Sequence, residues 1–529
     1  MTAGQTSEAI AREVAKRRTF AIISHPDAGK TTLTEKTLLY AGAIELAGAV
    51  RGKKAQRHAV SDWMDIERER GISITSAALE FDLFDRRVTL LDTPGHKDFS
   101  EDTYRTLLAV DSVVMVIDAA KGIESQTRKL FEVARQHHLP MLTFINKLDL
   151  PSRDPLDLLD DIERVLGVAA VPMNWPIGTG DRFRGVYDLQ QHTVLFYERG
   201  DRRGDRRTPV AVASASDPKL GELIGEERRT ELLEGVHLLE AAGTRFDPEA
   251  YRAARQTPVF FGSALSNFGL ESFLAALVEL APPPQPRETD IGIVDPAAED
   301  FSGFIFKIQA NMNPRHRDRV AFLRVCSGVL TKDMLVRNAR LDEPVRLSRP
   351  SRFFGRERET VETAYPGDVV GLVNPGRFAI GDTLYAGTKV RYARIPHFPA
   401  EFFGALRLRD VKYKQFDEGI RQLEEEGLMQ VVFPIYGKRE PILGVVGALQ
   451  FDIVEARMRN EYGVECQVDK LPHVAARWVE HPAGHQMRLP QGVLDCVDRD
   501  ERRVLLFQSD WELQYTEREN PNVKLLAVA

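Results

Sequence analysis

The chain contains the stretch Phe20-Ala21-Ile22-Ile23-Ser24-His25-Pro26-Asp27-Ala28-Gly29-Lys30-Thr31-Thr32, in which an apolar run leads into a turn. The leucines at positions 33, 38 and 39 have the spacing of a helix. A strand, a loop and a helix in this order predict a phosphate-binding loop, because the loop amides and the helix N-terminus can surround an anion. We therefore expect residues 24–32 to bind nucleotide phosphates, although Ser24 stands where the usual motif begins with glycine.

A second motif, Asp92-Thr93-Pro94-Gly95-His96, follows the apolar run 88–91. A carboxylate at the end of such a strand can hold Mg²⁺ through water, and a glycine lets its amide approach a terminal phosphate. We predict that Thr31 and, through water, Asp92 bind the metal. The imidazole of His96 can orient an attacking water, although a lone histidine in a loop is more often only a hydrogen-bonded residue.

The third motif, Asn146-Lys147-Leu148-Asp149, follows the apolar run 141–145. Its aspartate can accept hydrogen bonds from the N1–H and the exocyclic amine of guanine, a donor pair that adenine lacks. The stem of Lys147 can lie along the purine, and Ser263-Ala264-Leu265 can offer a backbone amide to the base oxygen. Three motifs in this order, each preceded by an apolar run, predict a switch that binds GTP or GDP.

The apolar runs before these motifs are typical of buried parallel strands, whose carboxyl ends gather ligands at one edge of a sheet. They predict an α/β class P-loop domain with a doubly wound sheet over residues 1–282, with an inserted subdomain at about 155–255. The proline-rich segment 281–286 predicts a linker. Short β-rich runs favour a β-barrel domain over 289–392, and mixed segments favour a C-terminal α+β domain over 393–529.

The composition limits the class of protein. A length of 529 residues exceeds what a single core sustains, which agrees with several domains. The chain lacks a run of about 20 apolar residues and an apolar secretion signal, so we expect a cytoplasmic protein that binds no membrane. Three widely spaced cysteines support neither a disulfide framework nor a zinc site. The formal charge of −7 argues against non-specific coating of nucleic acid.

Further segments resemble those of the translational GTPases, in the group that includes elongation factor G. They are Arg70-Gly71-Ile72-Ser73-Ile74, which is similar to the first switch of that family, residues 304–312, residues 316–322, and Gly447-Ala448-Leu449-Gln450-Phe451-Asp452. Nearly the whole chain takes part, and the similarity extends to factors of translation termination. The resemblance implies that Ser73, at the position of the switch threonine, is a further Mg²⁺ ligand and that His96 is catalytic.

The resemblance also implies a GTP phosphohydrolase that is stimulated by the ribosome, through ribosomal RNA and proteins. Its GTP form is expected to promote the departure of a class I release factor after peptide release, and to act as a monomer. The candidate RNA contacts are Lys53, Lys54, Arg57, Arg346, Arg349, Arg352, Arg356 and Arg358. The sequence leaves three alternatives open: a ribosome rescue or antibiotic-protection factor, a P-loop kinase or ATPase, and a ribosome-binding protein with a catalytically silent nucleotide site.

Overall fold

The computed structural model describes residues 3–44, 67, 73–196, 210–311, 319–354, 357–374, 376–480 and 487–527. Three units follow one another along the chain: an α/β domain, a β-barrel domain and a C-terminal α+β domain. This architecture confirms the predicted fold class. Within the described part of the chain, no helix is both long enough and apolar enough to span a membrane.

The α/β domain is built on a largely parallel sheet. Its strands, including those of an insertion, are β1 (Arg17–Ser24), β2 (Ala77–Leu83), β3 (Arg86–Asp92), β4 (Ser112–Asp118), β5 (Met141–Asn146), β6 (Ala169–Pro172), β7 (Asn174–Ile177), β8 (Gly185–Asp188), β9 (Thr193–Phe196), β10 (Val210–Ala211) and β11 (Gln256–Phe261). The order in the main sheet is β2-β3-β1-β4-β5-β11-β6, and only β2 is antiparallel to its neighbour. Alternate residues of β1 enter two separate buried clusters, because both faces of the sheet are covered.

Helices cover this sheet and follow its strands. They are α1 (Ala3–Lys16), α2 (Lys30–Tyr40), α3 (Ser100–Leu108), α4 (Ser125–Gln136), α5 (Pro155–Leu166), α6 (Lys219–Ile224), α7 (Glu226–Ala242), α8 (Pro248–Arg252) and α9 (Leu270–Leu280), with 3₁₀ turns at Lys97–Phe99 and Gly180–Arg182. Strands β1, β3 and β5 end at Ser24, Asp92 and Asn146. Because these parallel strands lie in one sheet, all three predicted motifs begin at the same edge.

The insertion begins later than the sequence analysis predicts. Helix α5 and strand β6 lie in the predicted range of 155–255, but β6 pairs in parallel with β11 and so extends the main sheet. The separate unit starts at Asn174 with a four-stranded antiparallel sheet, in the order β10-β9-β8-β7. An amphipathic helix followed by a short strand has the same local pattern in either unit, so only the long-range pairing with β11 distinguishes them.

The second domain consists of short antiparallel strands. They are β12 (Arg287–Thr289), β13 (Gly292–Val294), β14 (Phe301–Ala310), β15 (Arg319–Ser327), β16 (Leu330–Thr331), β17 (Met334–Asn338), β18 (Glu343–Leu347), β19 (Ser351–Phe354), β20 (Glu357–Thr360), β21 (Thr363–Ala364), β22 (Val369–Val373) and β23 (Thr383–Ala386). Their main order is β18-β17-β23-β14-β15-β22-β19. Ile305, Leu323 and Leu384 belong to one buried cluster, which forms the core of this domain.

The C-terminal domain packs helices on an eight-stranded antiparallel sheet of order β27-β24-β26-β25-β29-β30-β28-β31. Its elements are β24 (Phe402–Leu408), α10 (Tyr413–Glu425), β25 (Gln430–Pro434), β26 (Ile442–Val445), α11 (Leu449–Tyr462), β27 (Cys466–Leu471), β28 (Ala475–Glu480), β29 (Leu494–Val497), β30 (Arg503–Phe507), α12 (Asp510–Glu519) and β31 (Lys524–Leu526). The helices α10 and α11 alternate with strands along the chain, which gives the α+β composition that the sequence predicts for this domain.

Buried polar contacts join the three domains. Arg17 Nε donates to Asp368 Oδ1 at 2.7 Å, which links the α/β domain to the barrel. A second group, the domain junction, consists of Thr75, Ser76, Lys307, Glu426 and Arg457. The ammonium of Lys307 donates to Thr75 and Ser76, and the carboxylate of Glu426 accepts from Arg457 and from the Ala310 amide at 2.7 Å. The segment that follows Ser73 is therefore bonded to the barrel domain, which is in turn bonded to the C-terminal domain.

Candidate functional site

A cavity of about 290 Å³ lies at the carboxyl edge of the main sheet. Its walls come from the loop after β1, the start of α2 and the loop after β3, together with one residue after β5. The lining residues are Ser24, His25, Pro26, Asp27, Gly29, Lys30, Thr31, Thr32, Ser73, Gly95, His96 and Lys147. The cavity thus combines residues from all three nucleotide motifs and from the first switch.

The phosphate loop is tightly turned, because Asp27 and Gly29 have positive φ angles of 66° and 98°. A Cβ on Gly29 would lie 2.2 Å from Asn146 Nδ2, so both the backbone angle and the close contact require glycine. The same Nδ2 donates to the carbonyl oxygen of Ala28 at 2.8 Å, which fixes the loop against the end of β5. Gly29 directly precedes α2, so the loop leads into a helix N-terminus, where phosphates bind favourably.

The predicted metal ligands lie around the ammonium of Lys30. Its Nζ is 2.8 Å from Asp92 Oδ1 and 3.4 Å from Ser73 Oγ, and Thr31 lines the same cavity. Two hydroxyls and one carboxylate are hard oxygen donors of the kind that Mg²⁺ prefers, so this donor set fits the ion. No group of three or more histidine, cysteine, aspartate or glutamate residues with metal-site geometry occurs among the residues that the structure describes.

The segment Asp92–His96 is anchored through Thr93 and Pro94. Thr93 Oγ1 donates to the carbonyl oxygen of Ile22 at 2.7 Å, and the carbonyl oxygen of Pro94 accepts from Thr103 Oγ1 at 3.2 Å. Gly95 then passes beside the phosphate loop, since a Cβ there would lie 3.6 Å from Pro26 Cα. The side chain of His96 is 31% exposed and lines the cavity, so its imidazole is accessible from the cavity.

The backbone amides of Ser263 and Ala264, which are expected to contact the base oxygen, are hydrogen-bonded within the protein. The amide of Ala264 donates to Asn146 Oδ1 at 2.9 Å, and the amide of Ser263 donates to the carbonyl oxygen of Phe268 at 2.9 Å. Both N–H groups therefore have protein acceptors in this arrangement, and a backbone contact from residues 263–265 to the base oxygen stays a prediction. The side-chain amide of Asn146 instead joins the loop at Ala264 to the phosphate loop, which gives this asparagine a structural role between two motifs.

Two residues that the sequence analysis missed hold the base motif. Lys147, with a φ of 72°, donates from Nζ to Asp118 Oδ2 at 2.8 Å. Burial opposes ionisation of Asp118, but the hydrogen bonds from Lys147 and the Ala120 amide lower its pKa below the usual range. Ser266 Oγ donates to Asp149 Oδ2 at 3.0 Å. The sequence could have indicated Asp118, because it is an acidic residue directly after an apolar run, but no pattern in the sequence indicates Ser266.

The other predicted site residues have varied surroundings. His25 lines the cavity, and its Nε2 lies 2.9 Å from Glu124 Oε2, a polar contact that the sequence did not indicate. Leu148 is buried, whereas the side chain of Leu265 is 72% exposed. Thr32 lines the cavity one residue after Thr31.

Several predictions fall outside the described residues. These are the switch residues Arg70, Gly71 and Ile72 and the basic residues Lys53, Lys54, Arg57 and Arg356. Of the described basic residues, Arg352 Nε lies 2.9 Å from Glu80 Oε2, and Arg358 Nε donates to Ser351 Oγ at 3.2 Å. Arg346 donates to the carbonyl oxygen of Asp333 at 3.3 Å. These three arginines have partners within the protein, and the role of Arg346, Arg349, Arg352 and Arg358 as RNA contacts stays a prediction.

Comparisons with known proteins match each of the three domains to a described family. Residues 15–283 match the family described as elongation factor Tu GTP binding domain, residues 300–387 match elongation factor G domain 2, and residues 392–517 match the C-terminal domain of class II release factor RF3. A crystal structure of a Thermus thermophilus protein has a TM-score of 0.69 at 24% identity, covering 92% of this chain and 73% of that chain. The last similarity concerns the fold alone.

Curated relatives are similar over almost their full length. A peptide chain release factor 3 from Gloeobacter violaceus is 52% identical over 525 residues, which cover 98% of this chain and 99% of that protein. A peptide chain release factor 3 from Cyanothece sp. is 51% identical over 521 residues, covering 98% of this chain and 96% of that protein. On this identity and coverage, the chain belongs to the peptide chain release factor 3 family.

Proposed function

We propose that this chain, in its GTP form, binds the ribosome after peptide release and promotes the departure of a class I release factor. Its family is one of translational GTPases that act in termination. The observation that supports the proposal most strongly is a single cavity lined by the phosphate loop, Gly95 and His96. Hydrolysis of GTP would then return the protein to a form that leaves the ribosome.

The residues around Lys30 would bind the phosphates of GTP. The ammonium of Lys30, 2.8 Å from Asp92, is within reach of a terminal phosphate and can exchange one anionic partner for another. Thr31, Ser73 and, through water, Asp92 would hold Mg²⁺, which supplies positive charge to the phosphates when it is bound. The donor set of two hydroxyls and a carboxylate supports this assignment.

Asp149 would select guanine. Its carboxylate can accept from both N1–H and the exocyclic amine of the base, while the hydroxyl of Ser266 at 3.0 Å keeps it oriented. The ion pair of Lys147 with Asp118 would extend the lysine stem along the purine. We infer that GDP and GTP are both ligands, because these contacts involve only the base.

His96 would orient the water molecule that is the nucleophile in GTP hydrolysis. A water molecule attacks the γ-phosphorus of GTP, the bond to the oxygen that bridges to the β-phosphate breaks, and GDP and phosphate leave. An imidazole beside that water can orient it by a hydrogen bond and stabilise charge in the transition state. We expect slow hydrolysis by the protein alone and fast hydrolysis on the ribosome, which would bring His96 to the water.

Loss of the γ-phosphate would change contacts outside the nucleotide site, at the domain junction. Ser73 is separated by a single residue from Thr75, and Thr75 and Ser76 accept hydrogen bonds from the buried Lys307 of the barrel domain. A segment that changes position with the γ-phosphate would therefore change the contacts of the domain junction. This connection supports a role as a conformational timer, in which the nucleotide state sets the arrangement of the later domains.

The open alternatives are separated by the comparisons and by experiment. The match of residues 392–517 to a release-factor domain favours termination over ribosome rescue or antibiotic protection. Membership of a GTPase family is inconsistent with a P-loop kinase or ATPase. A catalytically silent site would leave GTP unhydrolysed on the ribosome.

A recycling assay tests the proposed role. Ribosomes that carry a peptide and a stop codon are present in excess over a class I release factor, and the released peptide is measured over time. We expect this chain with GTP to raise the number of peptides released per release factor, and we expect Lys30→Ala to abolish the gain. Ribosome-stimulated hydrolysis without any gain in released peptide would mean that the GTPase acts at another step.

We propose that the protein acts as a monomer, and light scattering on the purified protein is expected to give the mass of one chain.

A further inference from the structure

The start of helix α11, in the C-terminal domain, contacts the 3₁₀ turn Lys97–Phe99 that directly follows His96. The Leu449 amide donates to Asp98 Oδ2 at 2.9 Å. A Cβ on Gly447 would lie 2.0 Å from Asp98 Cγ and 2.4 Å from Asp98 Cβ, much closer than any real Cβ contact. Gly447 does not have a positive φ angle, so it is this interdomain contact, and not the backbone, that requires glycine.

Asp98 also contacts the imidazole of His96. The Asp98 amide donates to His96 Nδ1 at 3.3 Å, and Asp98 Oδ1 lies 3.4 Å from the same nitrogen. Because Nδ1 accepts from the Asp98 amide, Asp98 Oδ1 is a neighbour of the imidazole and not its hydrogen-bond partner, while Oδ2 accepts from the Leu449 amide. Because Asp98 is only 7% exposed and is held from two domains, the orientation of His96 is coupled to the position of α11.

Helix α11 is held in position by hydrogen bonds of Gln450 and by the burial of Ile453. Gln450 Oε1 accepts from the Gly447 amide at 2.9 Å, and Gln450 Nε2 donates to the carbonyl oxygen of Leu428 at 2.8 Å. Ile453 is fully buried in the same cluster as Phe99, the last residue of the 3₁₀ turn. The residue before α11, Ala448, offers no side-chain cap, so the Asp98 carboxylate satisfies the helix N-terminus from another domain.

We propose that Asp98 and Gly447 are positioning residues for GTP hydrolysis. Docking of α11 on Asp98 sets the direction of the His96 imidazole, so a movement of the C-terminal domain against the α/β domain changes the rate of hydrolysis. The ribosome can then control the chemistry by moving the C-terminal domain, without touching the nucleotide. The inference rests on the proposed catalytic role of His96 and deepens it by naming what holds that residue.

The test compares single-turnover hydrolysis on ribosomes at saturating GTP with the affinity of the isolated protein for GTP. We expect Gly447→Ala and Asp98→Ala to slow hydrolysis by about tenfold or more, because small misplacements of a catalytic group are costly. The affinity for GTP is expected to stay unchanged, since neither residue lines the cavity. Asp98→Asn keeps an acceptor for the Leu449 amide and is expected to retain more activity than Asp98→Ala.

Two further comparisons separate positioning from general damage. Gly444→Ala is the matched control, because its Cβ would meet Ala400 and Phe403 within the C-terminal domain, at 2.9 and 3.1 Å. It is expected to hydrolyse GTP at the wild-type rate per folded molecule. Asp98→Gly removes the atoms that a Cβ at position 447 would strike, so adding Gly447→Ala to Asp98→Gly should slow hydrolysis no further. Thermal unfolding verifies that each variant is folded.

The outcomes distinguish two failures. Wild-type hydrolysis by Gly447→Ala and Asp98→Ala, with His96→Ala inactive, would overturn this inference and leave the proposed function standing. Wild-type hydrolysis by His96→Ala would overturn the catalytic role of His96, on which the inference rests. If Gly447→Ala does not fold, equal rates for Asp98→Asn, Asp98→Ala and the wild type would overturn the inference in its place.

Discussion

Replacement of Arg457 by methionine should strongly destabilise the domain junction. Arg457 donates to the two oxygens of Glu426 at 2.5 and 2.9 Å, and both side chains are almost completely buried, at 5% and 6% exposure. Without Arg457, the donors that remain to Glu426 in the described part of the chain are neutral, namely the Ala310 amide at 2.7 Å and the amide of Gln309 at 3.3 Å. A buried carboxylate that loses its charged partner costs about 3–5 kcal/mol of folding free energy.

The expected loss is large enough to measure directly. For a cooperative unit of the size of one domain, about 3–5 kcal/mol corresponds to a fall in the unfolding midpoint of roughly 6–20 °C. Arg459→Met is the matched control on the same helix, because Arg459 and Glu465 form an exposed pair, at 56% and 58% exposure. An exposed pair contributes at most about 1 kcal/mol. Differential scanning calorimetry should show a large shift for Arg457→Met and a small one for Arg459→Met.

The loss of stability in Arg457→Met should depend on pH, because it leaves the buried carboxyl group of Glu426 without its charged partner. Burial raises its pKa even though Arg457 opposes the shift, so removing Arg457 raises the pKa further. When the pKa of a carboxyl group is raised in the folded state, the folded protein becomes less stable as the pH rises through the folded-state pKa. The penalty of Arg457→Met should therefore be larger at pH 8 than at pH 5, and Glu426→Gln combined with Arg457→Met should be more stable than Arg457→Met alone. A small penalty that does not change with pH would refute this reasoning.

Three further predictions concern the nucleotide site and the C-terminal domain. Asp149→Asn should lose GTP and gain xanthosine triphosphate in a competition binding assay, because an amide donates where a carboxylate accepts; retained preference for GTP would remove Asp149 from base selection. Gly29→Ala should lower GTP affinity by about tenfold or more in equilibrium titration, because its Cβ would lie 2.2 Å from Asn146 Nδ2 at a φ of 98°; unchanged affinity would contradict the loop geometry. Burial raises the pKa of Glu424 from 4.5 to about 7, against the effect of Arg499, so its contribution to stability is present at pH 4.5 and is lost as the pH rises through 7. Glu424→Gln should flatten this part of the pH profile in thermal unfolding, and an unchanged slope would assign it to other groups.

Local sequence patterns were sufficient to predict the parts of the site whose residues are adjacent in the chain. The phosphate loop, Asp92–His96 and Asn146–Asp149 each follow an apolar strand, and a parallel sheet necessarily brings the ends of such strands together. The fold class followed from the same runs. Those motifs could be predicted because a few neighbouring residues determine both their conformation and their chemistry.

Contacts between distant segments could not be predicted in this way. Asp98 and Leu449 are 351 positions apart, and so are Arg17 and Asp368. Gly447 is required by a carboxylate in another domain, so neither its neighbours nor its own backbone angles indicate its role. The start of the insertion was misplaced for a similar reason, since the pairing of β6 with β11 depends on residues that are separated by the whole insertion.

The central claim is that, when the ribosome is bound, His96 orients the water that hydrolyses GTP in the cavity lined by Lys30 and Gly95. Its most direct test is the rate of GTP hydrolysis by the wild type and by His96→Ala, each with and without ribosomes. We predict slow hydrolysis by both proteins alone, strong stimulation of the wild type by ribosomes, and loss of that stimulation in His96→Ala despite unchanged GTP binding. Equal wild-type rates with and without ribosomes, or full stimulation of His96→Ala, would contradict the claim.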